Sequence, residues 1–474
     1  MVFNSAAFAV FLFIFFNVYW YVNNHHSPRF RNAITLVASY LFYGWWDWRF
    51  LGLIFISSLG DYLLGVKIEQ KEKRAEKRVF LILSLLINLG ILGLFKYFNF
   101  FIDSLSDLLT TLSLGAAIPS LSIILPVGIS FYTFQTLSYT IDIYRGKLKP
   151  TRDPIQFFTF VAFFPQLVAG PIERAKNLLP QFEATKKFDY AKTISGLRLI
   201  LWGLFKKIVI ADNLGPIADN IFGAEVVLSS LSVLIGSMAF AFQIYCDFSG
   251  YSDIAIGISK MLGYDLMRNF KTPYFATSLT NFWHRWHISL STWFRDYVYI
   301  PLGGGRQSKS RTSLNIIATF LLSGLWHGAN STFIIWGGLH GALLVLEKRV
   351  KVHVNKMVAI PLVFLITSVL WIPFRAEDLR HLGELTSSLF LNMGIGLSWM
   401  EHFSACHTES KLIALAITFV LFLLVEAKIG TGDFSEWIAT KSTLWRRVGY
   451  YFLATAILLL GNFDVKPYFI YFQF

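Results

Sequence analysis

A histidine placed where two apolar segments break is the residue of this sequence best suited to chemistry. It stands in Leu321-Leu-Ser-Gly-Leu-Trp-His327-Gly-Ala-Asn330, flanked by Gly324 and Gly328. Glycines let a backbone or a substrate come close. A neutral imidazole in a dry site takes a proton from a hydroxyl as that hydroxyl attacks a thioester. Polar groups inside apolar runs are costly, so each is a functional candidate by default. The bland alternative is a core histidine bonded to a neighbouring helix, and position alone leaves both readings open.

A second cluster is Asn281-Phe-Trp-His-Arg-Trp-His-Ile-Ser-Leu-Ser-Thr-Trp-Phe-Arg-Asp-Tyr297. On a helix, His284, His287 and Ser291 share one face at i, i+3 and i+7. Arg285, Trp286, Ser291 and Arg295 suit a binding wall for an acyl donor that bears phosphates, because guanidinium groups bind phosphate well. The alternative is an interfacial amphipathic helix with Trp and Arg at the headgroups. Two histidines without a nearby carboxylate pair seldom bind metal, so no metal site is expected.

Lesser candidates follow. Gln243-Ile-Tyr-Cys-Asp247-Phe-Ser-Gly-Tyr-Ser-Asp253 carries two carboxylates at an expected span end. They suit orientation of a histidine or helix capping, and capping is the expected role. His340 falls within an apolar run. Gly303-Gly304-Gly305-Arg306 lacks the Lys-Ser/Thr of a phosphate-binding loop and reads as a turn. The chain ends Pro467-Tyr-Phe-Ile-Tyr-Phe-Gln-Phe474. An aromatic tail suits an interfacial anchor. Its Tyr471 hydroxyl is also a nucleophile that could relay an acyl group.

These residues must be held by helices in a bilayer. The chain has 474 residues, 55% hydrophobic and only 15% charged, against about 25% charged in soluble domains. Apolar runs fall near 3–22, 32–48, 50–66, 79–98, 121–143, 195–211, 226–246, 312–326, 331–346, 357–374, 410–427 and 448–463. The fold class expected is all-α polytopic membrane protein of about 11–12 spans. The run 312–326 covers only about 22 Å as a helix and so must sit inside a protein body or line a cavity. Residues 154–193 and 247–311 break the pattern and read as re-entrant or interfacial helices on the cytoplasmic side. One membrane-embedded body over 1–474 is expected, with 375–409 as the largest outside loop and 467–474 as an aromatic tail.

The net charge of +13 resides mostly in short loops, which points to topology control rather than to nucleic acid. Arg29 and Arg31, the run Lys67–Arg78, Arg145–Arg152, Arg306–Arg311, Lys348–Lys351 and Lys441–Arg447 all fall on one side if every span crosses once. That side is then the cytoplasm, with both termini outside it. Lys206 and Lys207 fit this rule less well. The Trp45-Trp46-Asp47-Trp48 cluster falls at the opposite face, where an aromatic belt belongs. Cys246 and Cys406 cannot make a disulfide framework. Phe3 to Val22 lacks a basic leader and a cleavage site, so it reads as a retained span.

The stretch from Asn281 through Tyr297-Val-Tyr-Ile-Pro-Leu-Gly-Gly, then Leu325-Trp-His-Gly-Ala and Trp336-Gly-Gly-Leu-His-Gly, closely resembles the membrane-bound O-acyltransferase family. Phe164-Pro-Gln-Leu-Val-Ala-Gly-Pro-Ile172 and Tyr245-Cys-Asp-Phe-Ser-Gly-Tyr-Ser-Asp253 resemble its bacterial alginate O-acetylase branch. The likeness runs from about Phe42 to the C-terminus. It implies a helical body with a central funnel and a tunnel, a donor arriving from the cytoplasm and an acceptor outside. His327 matches the family's near-universal histidine, and His287 its second characteristic polar position. The tail Phe469-Ile-Tyr-Phe-Gln-Phe474 is similar to an aromatic motif of related acyl-export systems, in which a tyrosine is proposed to carry the acyl group.

The expected function is therefore membrane O-acyl transfer in a bacterial inner membrane. The expected donor is acetyl-CoA or another thioester, with no permanently bound cofactor. Expected partners are membrane lipid, an extracytoplasmic acetyltransferase of SGNH type and a polysaccharide acceptor such as alginate; nucleic acid is not among them. The rivals are a transporter or flippase without covalent chemistry, a scaffold for a soluble transferase, and an acyltransferase for another acceptor (peptidoglycan, teichoic acid or lipid). A transporter is expected to show inverted repeats with paired broken helices, and this sequence has no such internal symmetry.

Overall fold

The computed structural model describes residues 1–114, 121, 123–168, 170–224, 228–350, 354–392, 398–463 and 469–470. Every regular element among them is helical, as the apolar runs require in a medium that offers the backbone no water. Six helices are long and apolar enough to cross a membrane: Ala6–His25, Trp48–Gln70, Arg74–Thr111, Ser230–Met261, Lys356–Arg375 and Glu409–Ile429. The other expected runs are helical as well but shorter or more polar. They include Pro28–Gly44, Ile129–Tyr144, Lys309–His327, Ser331–Arg349 and Thr443–Leu460.

The chain gathers into two compact units, one of residues 1–193 and 258–267, the other of 194–257 and 268–474. In the first unit, Ser27 and Asp153 each precede a proline and cap a helix, accepting from the backbone N–H of Phe30 and Ile155. Ser and Asp are strong N-caps, and proline suits the first helical position. The expected interfacial stretch 154–193 is the run of short helices Pro154–Ala162, Phe164–Leu167 and Ala175–Glu183. The buried Arg31 guanidinium ties it down, donating to the carbonyls of Phe182 at 2.6 Å and Ala184 at 3.0 Å. A second buried polar knot joins Asp61 to the Ser84 hydroxyl at 2.6 Å and to the Asn88 amide at 2.8 Å.

In the second unit the structure departs from one expectation. Residues 247–261 do not leave the span; they continue the 32-residue helix Ser230–Met261. Its partner is Tyr190–Leu204, which runs on as a π-helix over Phe205–Ala211. A Cβ on Gly250 would lie 2.7 Å from the Gly203 carbonyl oxygen, so these helices meet backbone to backbone, as small residues allow in membrane proteins. That approach also settles the charges. Asp247 and Asp253 lie inside the helix and therefore cap nothing. Asp247 pairs with Lys207 at 2.7 Å and Asp253 with Lys206 at 2.7 Å. This pairing explains why Lys206 and Lys207 fitted the loop-charge rule poorly: they neutralise buried carboxylates rather than sit in a loop.

The stretch 375–409, expected as a loop, holds the helices Leu379–Leu391 and Ser398–Cys406. Asp378 caps the first, accepting from the His381 N–H at 2.7 Å.

Candidate active site

The site lies within the second unit, and His327 is the last residue of the helix Lys309–His327. Asn330 then caps the returning helix Ser331–Arg349, its side-chain oxygen accepting from the Thr332 N–H. The two helices pack closely because Gly324 and Gly337 carry no side chains. A Cβ on Gly324 would lie 2.2 Å from the Phe333 carbonyl oxygen, and one on Gly337 the same distance from that of Phe320. The imidazole is 3% exposed. It is walled by Trp326 and Trp336, each 5.0 Å away between ring centres, and by Phe374 at 5.4 Å.

His287 is brought beside it, with the two imidazole centres 6.4 Å apart. The route is not the expected helix. The chain breaks between the helices Leu279–Trp283 and Ile288–Phe294, and His287 adopts φ 40° and ψ 54°. A left-handed non-glycine residue costs about 1–3 kcal/mol and persists only where its surroundings impose it. The break puts His284 at the exposed surface and buries His287 completely, so His284, His287 and Ser291 do not share a face.

Asn269 imposes the turn. Its carbonyl accepts from the Ile288 N–H at 2.9 Å, and its side-chain oxygen accepts from the Ser289 hydroxyl at 2.6 Å. Its amide donates in turn to the Ser252 hydroxyl at 3.1 Å. Sequence reading did not single out Asn269, because an asparagine distant along the chain carries no local signal of such a bracket. His287 lies outside the six candidate spans, and burial pushes its imidazole from 6.5 down to about 3. It is therefore neutral near pH 7, as a proton acceptor or hydrogen-bond partner must be. Replacing Asn269 with Ala frees the turn and moves the His287 ring. Transfer is expected to fall by roughly 10–100-fold through misplacement alone, while Asn269→Asp, which keeps the side-chain acceptor, recovers part of it. Kinetics on purified variants of equal thermal stability check this.

The remaining expected donor-binding residues are dispersed. Trp286 is fully buried among Phe282, Phe270, Tyr274 and Trp371, and so helps build the site's floor. Arg285 is partly buried and reaches the Thr272 carbonyl at 3.4 Å. The Ser291 hydroxyl donates to the Trp286 carbonyl at 3.2 Å. Arg295 is exposed and paired with Asp296 at 2.8 Å. His340 accepts from the Trp283 indole N–H at 3.3 Å and packs on Trp336, a bonded core histidine. Tyr471 lies outside the described residues. A polar cavity of about 40 Å³ is lined by Lys206, Tyr245, Asp253, Asn269, Phe270 and Glu426, among others. Its Phe270 wall stands 6.4 Å from the His287 ring.

Two buried imidazoles in an aromatic enclosure, one of them held in a costly backbone conformation, form a centre suited to moving a proton in a dry site. Comparison with known proteins identifies the family and its activity. The pattern of the MBOAT, membrane-bound O-acyltransferase family, matches residues 148–362, a segment that holds both histidines. The chain is 37% identical to the "probable alginate O-acetylase" of Azotobacter vinelandii over all of both chains. It is 33% identical to the peptidoglycan O-acetyltransferase of Helicobacter pylori strain 26695 over 92% of each. It is 31% identical to the teichoic acid D-alanyltransferase of Bacillus subtilis strain 168 over 46% of this chain and 58% of that one. Similarity of this extent, carried by an all-helical multi-pass chain, places it plainly: the protein belongs to the membrane-bound O-acyltransferase family and is a membrane O-acyltransferase.

Proposed function

We propose that this protein takes an acetyl group from a cytoplasmic thioester, acetyl-CoA, and delivers it across the bacterial inner membrane for O-acetylation of an extracellular or periplasmic polysaccharide such as alginate. The observation that carries the reading is the pair of buried imidazoles, His327 and His287, with centres 6.4 Å apart. His327 acts as the base. It accepts the proton of an attacking hydroxyl as the hydroxyl oxygen bonds to the thioester carbonyl carbon. The C–S bond breaks, and the thiolate leaves and is protonated. His287, neutral and adjacent, holds the reacting groups by hydrogen bonding.

The attacking hydroxyl is that of Tyr471 or a serine of an extracytoplasmic SGNH-type partner, which then passes the acetyl group to the polymer. Of the expected donor-binding residues, the partly buried Arg285 and the exposed Arg295 are the cations that remain accessible to a phosphate-bearing donor, while Trp286 and Ser291 serve the packing behind them. The basic loops face the cytoplasm and both termini lie outside, as the positive-inside rule directs. Alginate is favoured as acceptor because that relative aligns over its whole length; the peptidoglycan relative makes cell-wall glycan the acceptor to compare with it.

The test is mass spectrometry of surface polysaccharide and muropeptides from cells with and without this protein. Loss of ester-linked acetate from the polysaccharide alone, restored by the wild-type chain, is the expected result. Loss confined to muropeptides replaces the acceptor, and unchanged acetate on both overturns the proposal.

A further inference from the structure

The buried ion cluster of the second unit has a member that charge neutralisation does not account for. Lys207 bridges Asp247 at 2.7 Å and Asp212 at 2.9 Å, with all three side chains nearly or fully withdrawn from solvent. One oxygen of Asp247 serves Lys207. The other accepts the backbone N–H of Ile470 at 2.7 Å. Ile470 and Phe469 are both buried. The Phe469 ring packs on Phe248 at 5.3 Å and on Tyr251 at 5.0 Å, and Phe248 in turn packs on His287 at 4.7 Å. Both aromatic supports follow Asp247 on the same helix, one and four residues further on.

The chain just before the tail is fastened to the same neighbourhood. The Asn462 N–H donates to the Ile208 carbonyl at 3.2 Å, and its side-chain amide donates to that of Asp212 at 3.0 Å. The Asn213 amide donates to the Leu460 carbonyl at 2.8 Å. The segment 207–213, with Asp247, thus receives the end of the last helix and a backbone amide of the tail.

We infer that Asp247, held in place and charge-balanced by Lys207, is a clamp for the C-terminal tail, fixing its backbone at Ile470 on the side of the core that supports His287. Chain ends fray unless tied down. A carboxylate accepting a backbone N–H is among the stronger ties available, and stronger still in a dry interior. Asp247 thus divides its two oxygens between the lysine and the tail. Asp247 is accordingly a positioning residue for acyl transfer. That consequence rests on the function proposed above, whereas the clamp itself does not.

Hydrogen exchange on the purified full-length protein tests the clamp without reference to activity. Asp247→Asn, which weakens the charged acceptor to a neutral one, is expected to speed exchange of the Ile470 amide by about tenfold, over and above any change at amides of the same unit away from the tail, which report the stability lost with the Lys207 pair. Equal exchange in the two proteins overturns the clamp. Ile470→Pro keeps folding from obscuring the outcome, because it removes the donor N–H and leaves every buried charge in place. Both variants are expected to lower kcat for acyl transfer by a similar factor with little change in KM, and the double variant by no more than either alone. Independent, multiplying losses overturn the positioning role. Faster exchange with kcat unchanged sinks that role and leaves the clamp standing.

Discussion

Cells carrying His327→Ala are expected to insert the protein normally and to transfer acyl groups about 10²–10⁴-fold more slowly, the range that a general base supplies. The reasoning begins with placement. His327 ends its helix at a glycine-supported crossing, and no backbone hydrogen bond of the helix interior depends on its side chain. Its ring is enclosed by Trp326, Trp336 and Phe374, which exclude water and leave His287 as the neighbouring polar ring. Removing the imidazole leaves a cavity in an aromatic shell, a modest cost to folding, but removes the proton acceptor outright. His327→Gln, which fills the space without acid–base function at neutral pH, is expected to be as inactive as alanine. Acetate released by mild alkali from surface polymer, normalised to membrane protein level, measures both variants.

The largest expected effect on stability belongs to Lys207→Met. Methionine fits the volume and keeps the apolar stem, but it strands Asp247 and Asp212 with no cation between them. Breaking a buried pair from one side costs about 3–5 kcal/mol, and here two carboxylates lose the same partner. A pair in water behaves differently. Lys192 meets Asp265 at the same 2.7 Å with the carboxylate side chain 68% exposed, and Lys192→Met is expected to cost under about 1 kcal/mol. Thermal unfolding in one detergent at one salt concentration compares the two. Adding Asp247→Asn and Asp212→Asn to Lys207→Met is expected to recover much of the loss, since the stranded charge, rather than the absent lysine, is the cause.

The helices were legible because their cause is local. Bilayer-length apolar runs, and prolines or glycines that interrupt them, placed most of the long helices to within a few residues, although Ser230–Met261 runs well past its expected end at 246 and Ile129–Tyr144 starts well after its expected beginning at 121. His327 was legible for a related reason: a polar residue at a break between apolar runs violates the pattern around it. The turn at His287 was not legible. Its helical spacing from His284 and Ser291 is real in sequence, but Asn269 captures the Ile288 N–H and the Ser289 hydroxyl and forces a left-handed residue where local preference favours a helix. The carboxylates at Asp247 and Asp253 were likewise misplaced as caps. Their partners, Lys207 and Lys206, lie some forty positions away along the chain and meet them only because Gly203 and Gly250 permit contact of two backbones. Features set by such distant encounters leave no periodic trace.

The central claim is that His327 activates a hydroxyl against a thioester inside this protein. Purified protein in lipid vesicles, supplied with acetyl-CoA labelled in its acetyl group, tests it most directly through the rate at which free CoA thiol appears. The wild-type chain is expected to release thiol, and His327→Ala to release none above the rate of empty vesicles. Equal release by both would contradict the account.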